Sequence, residues 1–317
     1  MGYATGNEAN LRILVTGAAG RLGRSVVAAL AGAGHEVLSV DRDAAAGLPV
    51  EQVALDLTDR TAADDVFARF APDAVIHLAA ISVPFSAPEH VIYETNTRLA
   101  FTVFEAAVAA GVSLVLAASS PTVIGYGSPS GWLPASLPID ETHELAPWNA
   151  YSLSKQAIEN AAAMFARAAG DGTRFGVFRP CFVISPEEWH GAPTQQGHTV
   201  LERLERPELA AVSLFNYVDS RDAADFVLAW LAHAGAAPNG SVFFVGAADA
   251  LATLPLAELV PRYLPGSSEL AASLTGDLPA FSSAKAERLL GWRASRSWRN
   301  ELPDASERGA SNLVRTP

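Results

Sequence analysis

The stretch Leu11–Gly23, with the sequence LRILVTGAAGRLG, constrains the fold of this chain more than any other. It opens with an apolar run, Leu11 to Val15, that shows no alternation, which is typical of a strand buried on both faces in a parallel sheet. The run ends at Thr16, and glycines follow at Gly17, Gly20 and Gly23, beside the start of an apolar helical pattern. This order of strand, glycine turn and helix predicts the first unit of an open α/β sheet.

The three glycines indicate a phosphate-binding turn. One glycine lets the chain reverse, a second leaves room for a pyrophosphate against the backbone, and a third lets helix and strand pack closely. The N-terminus of the helix then presents unpaired N–H groups and a partial positive charge to the phosphates. Because the chain has 24 glycines, the spacing alone is equally compatible with a plain glycine turn. Its position between strand and helix favours the dinucleotide site.

Length and composition set the broad class. A chain of 317 residues, half of them hydrophobic, suits one large α/β domain or such a domain with a lobe grown from it. No apolar run approaches the roughly 20 residues of a membrane span. The net charge of −12 argues against a nucleic-acid or anionic-membrane partner. We therefore expect no nucleic-acid partner, no membrane and a small-molecule substrate.

Histidine and cysteine usage bear on metals and on compartment. The seven histidines are scattered without metal-ligand spacing, so no metal site is expected. Cys181 is the only cysteine, which excludes an internal disulfide and suits a reducing cytoplasm. Residues 1–10 lack the charged and apolar blocks of a signal peptide. We expect a flexible leader over residues 1–10 and a flexible tail over residues 301–317.

Strand and helix signals alternate along the chain, which predicts a doubly wound parallel sheet. Residues 11–180 would form a dinucleotide-binding domain, and residues 181–300, where the alternation fades, a smaller interwoven lobe that covers the substrate. The predicted strands are Leu11–Val15, Glu36–Val40, Val53–Leu55, Val75–Leu78, Ser113–Ala118, Arg174–Phe178, Phe215–Val218 and Ser241–Val245. Helices are predicted from about Arg21 and over Asp59–Phe70, Glu89–Ala110, Asn149–Ala169, Val200–Glu205 and Asp222–His233, with Thr58 as the N-cap of the second.

Asp41 ends the second strand about twenty residues after the glycines, where a carboxylate can accept hydrogen bonds from the adenosine ribose hydroxyls. This favours NAD, since the carboxylate would repel the 2′-phosphate of NADP. Arg42 follows directly and could meet that phosphate instead, so NADP stays open. Asp56 and Leu57 end the third strand, in a place suited to an adenine edge. At the end of the fourth strand, small residues at Ala79 and Ala80 would let the chain pass close to the cofactor, whereas we expect His77 to be a packed structural residue.

Three further side chains indicate proton and hydride chemistry. Tyr151 and Lys155 stand four residues apart and share one face of a helix. A tyrosine has a pKa of about 10, and a nearby ammonium lowers that pKa, which would suit Tyr151 to proton transfer at a hydroxyl carbon. Ser120 ends the fifth strand, at the sheet edge where ligands bind, and could hold the substrate oxygen as charge develops. With the nucleotide-binding turn, these residues indicate hydride transfer between a nicotinamide and a secondary alcohol or ketone.

Over about residues 11–300 the chain resembles the extended short-chain dehydrogenase/reductases, also called the NAD-dependent epimerase/dehydratase family. The resemblance rests on Thr16-Gly17-Ala18-Ala19-Gly20-Arg21-Leu22-Gly23, Asp56-Leu57, His77-Leu78-Ala79-Ala80, Asn96, Ala118-Ser119-Ser120, Tyr151-Ser152-Leu153-Ser154-Lys155, Arg179-Pro180 and Tyr217-Val218-Asp219. It implies a Rossmann domain followed by a substrate lobe, an NAD cofactor and a homodimer.

The resemblance also implies a role for each matched residue. Tyr151 would be the acid/base, Lys155 its tuner and a ribose ligand, and Ser120 would polarise the substrate. The expected cofactor-binding residues are Gly17, Gly20, Arg21, Leu22, Gly23, Asp41, Arg42, Asp56, Leu57, Leu78, Ala79, Ala80, Asn96, Tyr151, Lys155 and Pro180. The expected substrate-binding residues are Ser82, Ser120, Thr122 and Phe182.

Departures from the family pattern narrow the activity. Pro121-Thr122 stands where family dehydratases carry an acidic pair, so 4,6-dehydration is not expected. Phe182 begins the segment in which nucleotide-sugar epimerases place an Asn against the substrate diphosphate, and a phenyl ring there should weaken diphosphate binding. Residues Val123–Tyr126 look more like the uronate dehydrogenase branch, which oxidises a free sugar acid. The remaining candidates for binding a substrate anion are Arg179, Arg203, Arg206 and Arg221.

These observations favour an NAD-dependent oxidoreductase acting on a secondary hydroxyl of a sugar, sugar acid or polyol. The alternatives are a nucleotide-sugar epimerase that retains NAD, and a non-catalytic dinucleotide-sensing protein. Alanine-rich helices over residues 89–110 and 149–169 could pair with those of a second copy in a four-helix interface, which agrees with the implied homodimer. The same alanines could instead simply pack on the sheet.

Overall fold

The computed structural model describes residues 10–302, and the predicted leader and tail lie almost entirely outside them. The strands are β1 Arg12–Thr16, β2 Glu36–Asp41, β3 Glu51–Ala54, β4 Ala74–His77, β5 Leu114–Ala118, β6 Arg174–Pro180, β7 Val183–Ile184, β8 Val218–Asp219 and β9 Ser241–Val245. The α-helices are α1 Arg21–Gly32, α2 Arg60–Phe70, α3 Glu89–Ala109, α4 Ala150–Ala169, α5 Pro186–Trp189, α6 Val200–Glu205, α7 Pro207–Ala211, α8 Ser220–His233, α9 Leu256–Tyr263, α10 Ser268–Ala271, α11 Ala284–Leu290 and α12 Trp298–Glu301.

Within the described residues, seven strands form one parallel sheet in the order β3-β2-β1-β4-β5-β6-β9. The strand order reverses between β1 and β4, so the loops at their carboxyl ends diverge and leave a crevice. The predicted doubly wound parallel sheet is therefore confirmed. A separate pair, β7 and β8, lies outside it.

Both faces of the sheet are covered, and its central strands β1, β4 and β5 are buried almost without alternation. In β1, Ile13 and Val15 pack on the side of α1 and α8, and Leu14 packs on the side of α2, α3 and α4. Each fully buried Val, Leu or Ile of this kind stabilises the fold by about 1.5–3 kcal/mol. The two apolar layers fix the sheet and hold its carboxyl edge as a rigid platform.

The structure corrects two local predictions. Asp59, not Thr58, caps α2: its carboxylate accepts from the backbone N–H groups of Thr61 and Ala62. Thr58 instead donates to Asp56 from both its backbone N–H and its hydroxyl. The N-cap lies one residue later than predicted because the Asp59 carboxylate has two free acceptor oxygens, whereas the Thr58 hydroxyl is already bonded to Asp56.

The predicted strand Phe215–Val218 is also wrong in part. Leu214 and Phe215 have positive φ angles of 52° and 57°, which no strand accommodates, and strand pairing begins only at Val218. Further on, α8 packs against α1, and β9 pairs with β6 at the edge of the main sheet. The chain of the predicted lobe, residues 181–300, thus contributes both to the sheet and to the region beyond its edge.

Between residues 10 and 302, no helix combines the length and the apolar character that crossing a membrane requires.

Candidate active site

A cavity of about 920 Å³ opens at the carboxyl edge of the sheet, beside the crevice between β1 and β4. Except for Asn96, all of the expected catalytic, cofactor-binding and substrate-binding residues line it, whereas the four candidate arginines do not. They come from the carboxyl ends of six strands, β1 to β6, from the loops that follow and from helix α4, all distant in sequence. The fold therefore brings the predicted nucleotide-binding and catalytic residues into one space.

The glycine turn packs so closely against the backbone around it that side chains would not fit at two of its three glycines. Gly17 has a φ of +71°, and a Cβ there would lie 2.6 Å from the backbone nitrogen of Ala79. A Cβ on Gly23 would lie 2.2 Å from the carbonyl oxygen of Gly17, whereas one on Gly20 would meet only that same oxygen, at 3.3 Å. Helix α1 has Gly20 as its N-cap, so it has no side-chain cap, and its first turn contains no acidic residue. Its first N–H groups are thus left to a phosphate.

Asp41 connects the end of β2 to this turn. Its carboxylate accepts from the backbone N–H of Ala19 at 3.1 Å and from that of Arg42 at 2.7 Å. The carboxylate lines the cavity where ribose hydroxyls would meet it, and Arg42 lies exposed at the rim. Asp56 also lines the cavity, and its hydrogen bonds with Thr58 lower the pKa of its carboxyl. These residues fit the adenosine half of NAD.

Asn96 supports the cavity from behind. It is completely buried on α3, where its carbonyl accepts from the backbone N–H of Ile81 at 2.7 Å. Its amide donates to the carbonyl of Ile81 and to the hydroxyl of Ser154. The side chain thus fastens the loop after β4, which lines the cavity, to helix α4, the helix that carries Tyr151.

The residues of the proposed chemistry meet at the carboxyl end of β5. Ser120 follows this strand and caps the short 3-10 helix Pro121–Ile124, accepting from the N–H and the hydroxyl of Thr122. Tyr151 is in the first turn of α4, whose start is fixed by a capping box between Asn149 and Ser152. Tyr151 lines the same cavity as Ser120, and the Ser120 hydroxyl is close enough to lower the pKa of the Tyr151 phenol in part.

Lys155 lies one turn further along α4 and is almost completely buried. Its ammonium donates to the carbonyl of Ala118 at 3.0 Å and lies 5.8 Å from the centre of the Tyr151 ring. Burial lowers the pKa of Lys155 to about 8, although the carboxylate of Glu159 raises it in part. The lysine therefore titrates near neutral pH, unlike an exposed one.

The electrostatics of Tyr151 differ from the sequence-based prediction. Burial raises the pKa of its phenol, and the nearby Ser120 hydroxyl lowers that pKa only in part. The expected lowering by Lys155 is not found in this structure, since desolvation of the phenolate outweighs the neighbouring groups. Tyr151 is thus predominantly a proton donor at neutral pH unless a bound ligand changes its surroundings.

Two buried groups stabilise this region without lining the cavity. His77 hydrogen-bonds through Nδ1 to the hydroxyl of Thr16 at 2.8 Å, and burial lowers its pKa to about 3, so it stays neutral. Arg179 pairs with Glu159 through two bonds of 2.8 Å, and Glu159 also accepts from Ser119 at 2.6 Å. This buried network ties α4 to β5 and β6, the elements that carry Tyr151, Lys155 and Ser120.

The cavity wall on the side of the lobe contains residues that no motif indicated. Gln195 and Gln196 come from the loop before α6, and Ser213 and Asn216 from the segment between α7 and β8. Gln195 donates to the hydroxyl of Ser82 at 3.1 Å and so joins the lobe to the loop after β4. Tyr126 and Trp148 were within reach of sequence reasoning, because the length of the loop 121–148 marks it as functional.

The four candidate arginines have different surroundings. Three of them form ion pairs: Arg179 with Glu159, the exposed Arg206 with Glu208, and Arg221 with Asp219 and Glu301. Arg203 is completely buried and stacks against Phe182, its guanidinium carbon 4.0 Å from the ring centre.

Comparison with known proteins agrees with this geometry. The family model described as the NAD dependent epimerase/dehydratase family matches residues 13–246. The UDP-glucose 4-epimerase of Rhizobium leguminosarum bv. trifolii is 35% identical over 159 residues, which cover 48% of this chain and 46% of that protein. The L-arabinose 1-dehydrogenase (NAD(P)(+)) of Haloferax volcanii is 40% identical over 109 residues, 34% of this chain and 41% of that protein. In these matches the chain spans less than half the length of either relative.

Among solved structures, a short-chain dehydrogenase/reductase superfamily protein from Agrobacterium tumefaciens with bound NAD has a TM-score of 0.69 at 24% identity. The alignment covers 96% of this chain and 98% of that one, and at this identity it shows a shared fold. The sequence-based resemblance is confirmed, and with it the expectation of an enzyme. The chain belongs to the NAD-dependent epimerase/dehydratase family.

Proposed function

We propose that this protein is an NAD-dependent oxidoreductase that acts on a secondary hydroxyl of a carbohydrate-like substrate, a sugar, sugar acid or polyol, and returns a ketone or lactone. The observation that carries the proposal is that Ser120, Tyr151 and Lys155 share one cavity with the glycine turn and Asp41. A dinucleotide held by the turn and Asp41 would extend along this cavity towards Tyr151. The same cavity then holds both the cofactor and the reacting hydroxyl.

The chain's own residues supply binding and proton transfer. Ser120 binds the substrate oxygen, and Tyr151 accepts the proton from that hydroxyl as the carbon is oxidised. The ammonium of Lys155 stabilises the phenolate form of Tyr151 that accepts this proton, since an opposite charge nearby favours the ionised form. Bound NAD supplies the hydride acceptor. In the reverse direction Tyr151, already protonated, donates to the carbonyl oxygen.

An epimerase is the second candidate, because several matching relatives, including the one from Rhizobium leguminosarum, are UDP-glucose 4-epimerases. In that reaction the same hydride returns to the opposite face and NAD is retained. Phe182 favours the dehydrogenase, since its ring fills the wall where the resemblance places an amide against a diphosphate. The L-arabinose 1-dehydrogenase match also supports release of the reduced cofactor. A dinucleotide sensor is disfavoured because Ser120, Tyr151 and Lys155 are all present.

Absorbance of the reduced nicotinamide tests the proposal. Purified protein is mixed with NAD or NADP and with uronic acids, aldoses, polyols or nucleotide sugars. We expect stoichiometric NADH formation with one class of free sugar, and less turnover with NADP because of Asp41. If no compound yields NADH while NMR shows a nucleotide sugar being isomerised, the protein is an epimerase. If neither NADH formation nor isomerisation is detected, the remaining candidate is a dinucleotide-sensing protein.

A further inference from the structure

Arg203 is a buried cation whose partners are all neutral. Its Nη1 donates to the side-chain oxygen of Gln196 at 2.7 Å and lies 3.2 Å from Nε2 of His198. Its Nη2 donates to the hydroxyl of Ser213 at 3.1 Å, and its Nε has no hydrogen-bond partner. Among residues 10–302, no carboxylate lies within ion-pair distance of this guanidinium, although its side chain is completely buried.

The neighbouring charges do not compensate it. Glu188 raises the pKa of Arg203 from beyond ion-pair distance, yet burial prevails and lowers that pKa to about 10. The Glu188 carboxylate is already paired with Arg21 at 3.1 Å and accepts from both the N–H and the hydroxyl of Ser185. Because an arginine can only donate, His198 must accept through Nε2 and is neutral, in agreement with a pKa lowered by its own burial and by Arg203. An arginine in such a place costs free energy unless a further anion approaches.

The approach to Arg203 is through the cavity. Phe182, Gln196 and Ser213, which contact its guanidinium, all line the cavity that contains Tyr151. The oxygen of the Gln196 amide is bonded to Arg203, which leaves the N–H groups of that amide as donors in the wall. The wall thus presents hydrogen-bond donors with a positive charge directly behind them.

We propose that this wall, Phe182, Gln196 and Ser213 backed by Arg203, binds an anionic group of the substrate. The proposal rests on the function proposed above and narrows its substrate class to sugar acids or sugar phosphates. The anion is held by Gln196 and by the field of Arg203. Carboxylate and phosphate share this chemistry, and the test separates them.

Binding to the complex with NADH, which cannot oxidise the sugar, tests the proposal. Galacturonate and galactose 6-phosphate are each compared with galactose by the fluorescence of bound NADH. We expect one of the two anions to bind on the order of tenfold or more tightly than galactose, from Coulomb attraction at an effective dielectric constant of about 20. Arg203→Met should abolish the preference for the anion over galactose without changing the affinity for NADH. The matched control Arg206→Met, in an exposed pair with Glu208, should retain it.

Gln196→Glu provides a variant on an exposed loop position, where folding is not at risk. Because its added carboxylate repels an anion, Gln196→Glu should bind galactose more tightly than either anion. An unchanged ratio of anion to neutral sugar in both Arg203→Met and Gln196→Glu would overturn the proposal, as would tighter binding of galactose by the wild type.

The proposed function can fail independently. If galactose binds and is oxidised better than either anion, the oxidoreductase stands and the anion site is wrong. If no sugar binds while NADH does, the proposed function is wrong, and malonate serves as a non-sugar anion. Malonate binding that is lost in Arg203→Met would still support the anion site, and no malonate binding would refute it.

Discussion

At the scale of single residues, Tyr151 is the proposed acid/base, buried in the first turn of α4 near Ser120. We expect Tyr151→Phe to lower kcat by about 10²- to 10⁴-fold, the usual contribution of a positioned proton donor or acceptor. The affinity for NAD should change far less. Steady-state kinetics with the substrate found in the absorbance assay measure the effect, and Tyr126→Phe, which removes another cavity hydroxyl, is the control. Turnover within tenfold of the wild type would exclude Tyr151 from this role.

His77 makes stability depend on pH. Its pKa is about 3 in the folded chain, against 6.5 for an ordinary histidine, because burial disfavours the charged form. The stability gained by keeping it neutral is therefore complete above pH 6.5 and is lost as the pH falls towards 3. This group alone should lower the free energy of unfolding by up to about 1.4 kcal/mol per pH unit in that window. Urea unfolding at several pH values should show that the free energy of unfolding depends less steeply on pH in His77→Gln than in the wild type. An equal pH dependence in both proteins would contradict the assignment.

At the scale of elements, Gly176 determines how closely α8 packs on β6. A Cβ at Gly176 would lie 2.4 Å from Nε1 of Trp230, a buried side chain of α8. We expect Gly176→Ala to destabilise the fold by roughly 1–3 kcal/mol, because the indole must shift within a packed layer. Gly235→Ala is the matched control, since a Cβ there would meet no atom within 4 Å. Equal denaturation midpoints for the two variants would show that the Trp230 indole can shift without destabilising the fold.

At the scale of the whole molecule, α3 and α4 pack side by side and together expose an apolar face. Tyr93, Phe101, Leu153 and Met164 on these helices are 37–45% exposed. We expect a homodimer through this face, since contiguous exposed apolar surface marks interaction sites. Light scattering at micromolar concentration should give twice the mass of one chain, and Phe101→Glu with Leu153→Glu should give one. Leu278→Glu, elsewhere on the surface, is the control. A monomeric wild type would refute the dimer.

Much of the site could be predicted because its parts are local in sequence. The glycine turn and the Tyr151–Lys155 pair each lie within one turn or helix, and Asp41 and Ser120 each directly follow a strand end. Parallel strands bring all carboxyl ends to one edge, so strand-end residues meet without any knowledge of packing. Asn96 was expected to bind the cofactor but does not line the cavity. Its amide is hydrogen-bonded to Ile81 and Ser154, so it supports the cavity from the core.

What the sequence by itself determined is therefore the alternation of strands and helices in the sheet, the glycine turn after the first strand, and the candidate residues for cofactor binding and proton transfer. Only the tertiary structure decided that β9 joins the sheet, that burial raises the pKa of Tyr151, and that Arg203 has neutral partners behind the cavity wall. Each of these depends on which distant segments surround a group. Burial and pairing are properties of that environment, and no local pattern of residues encodes them.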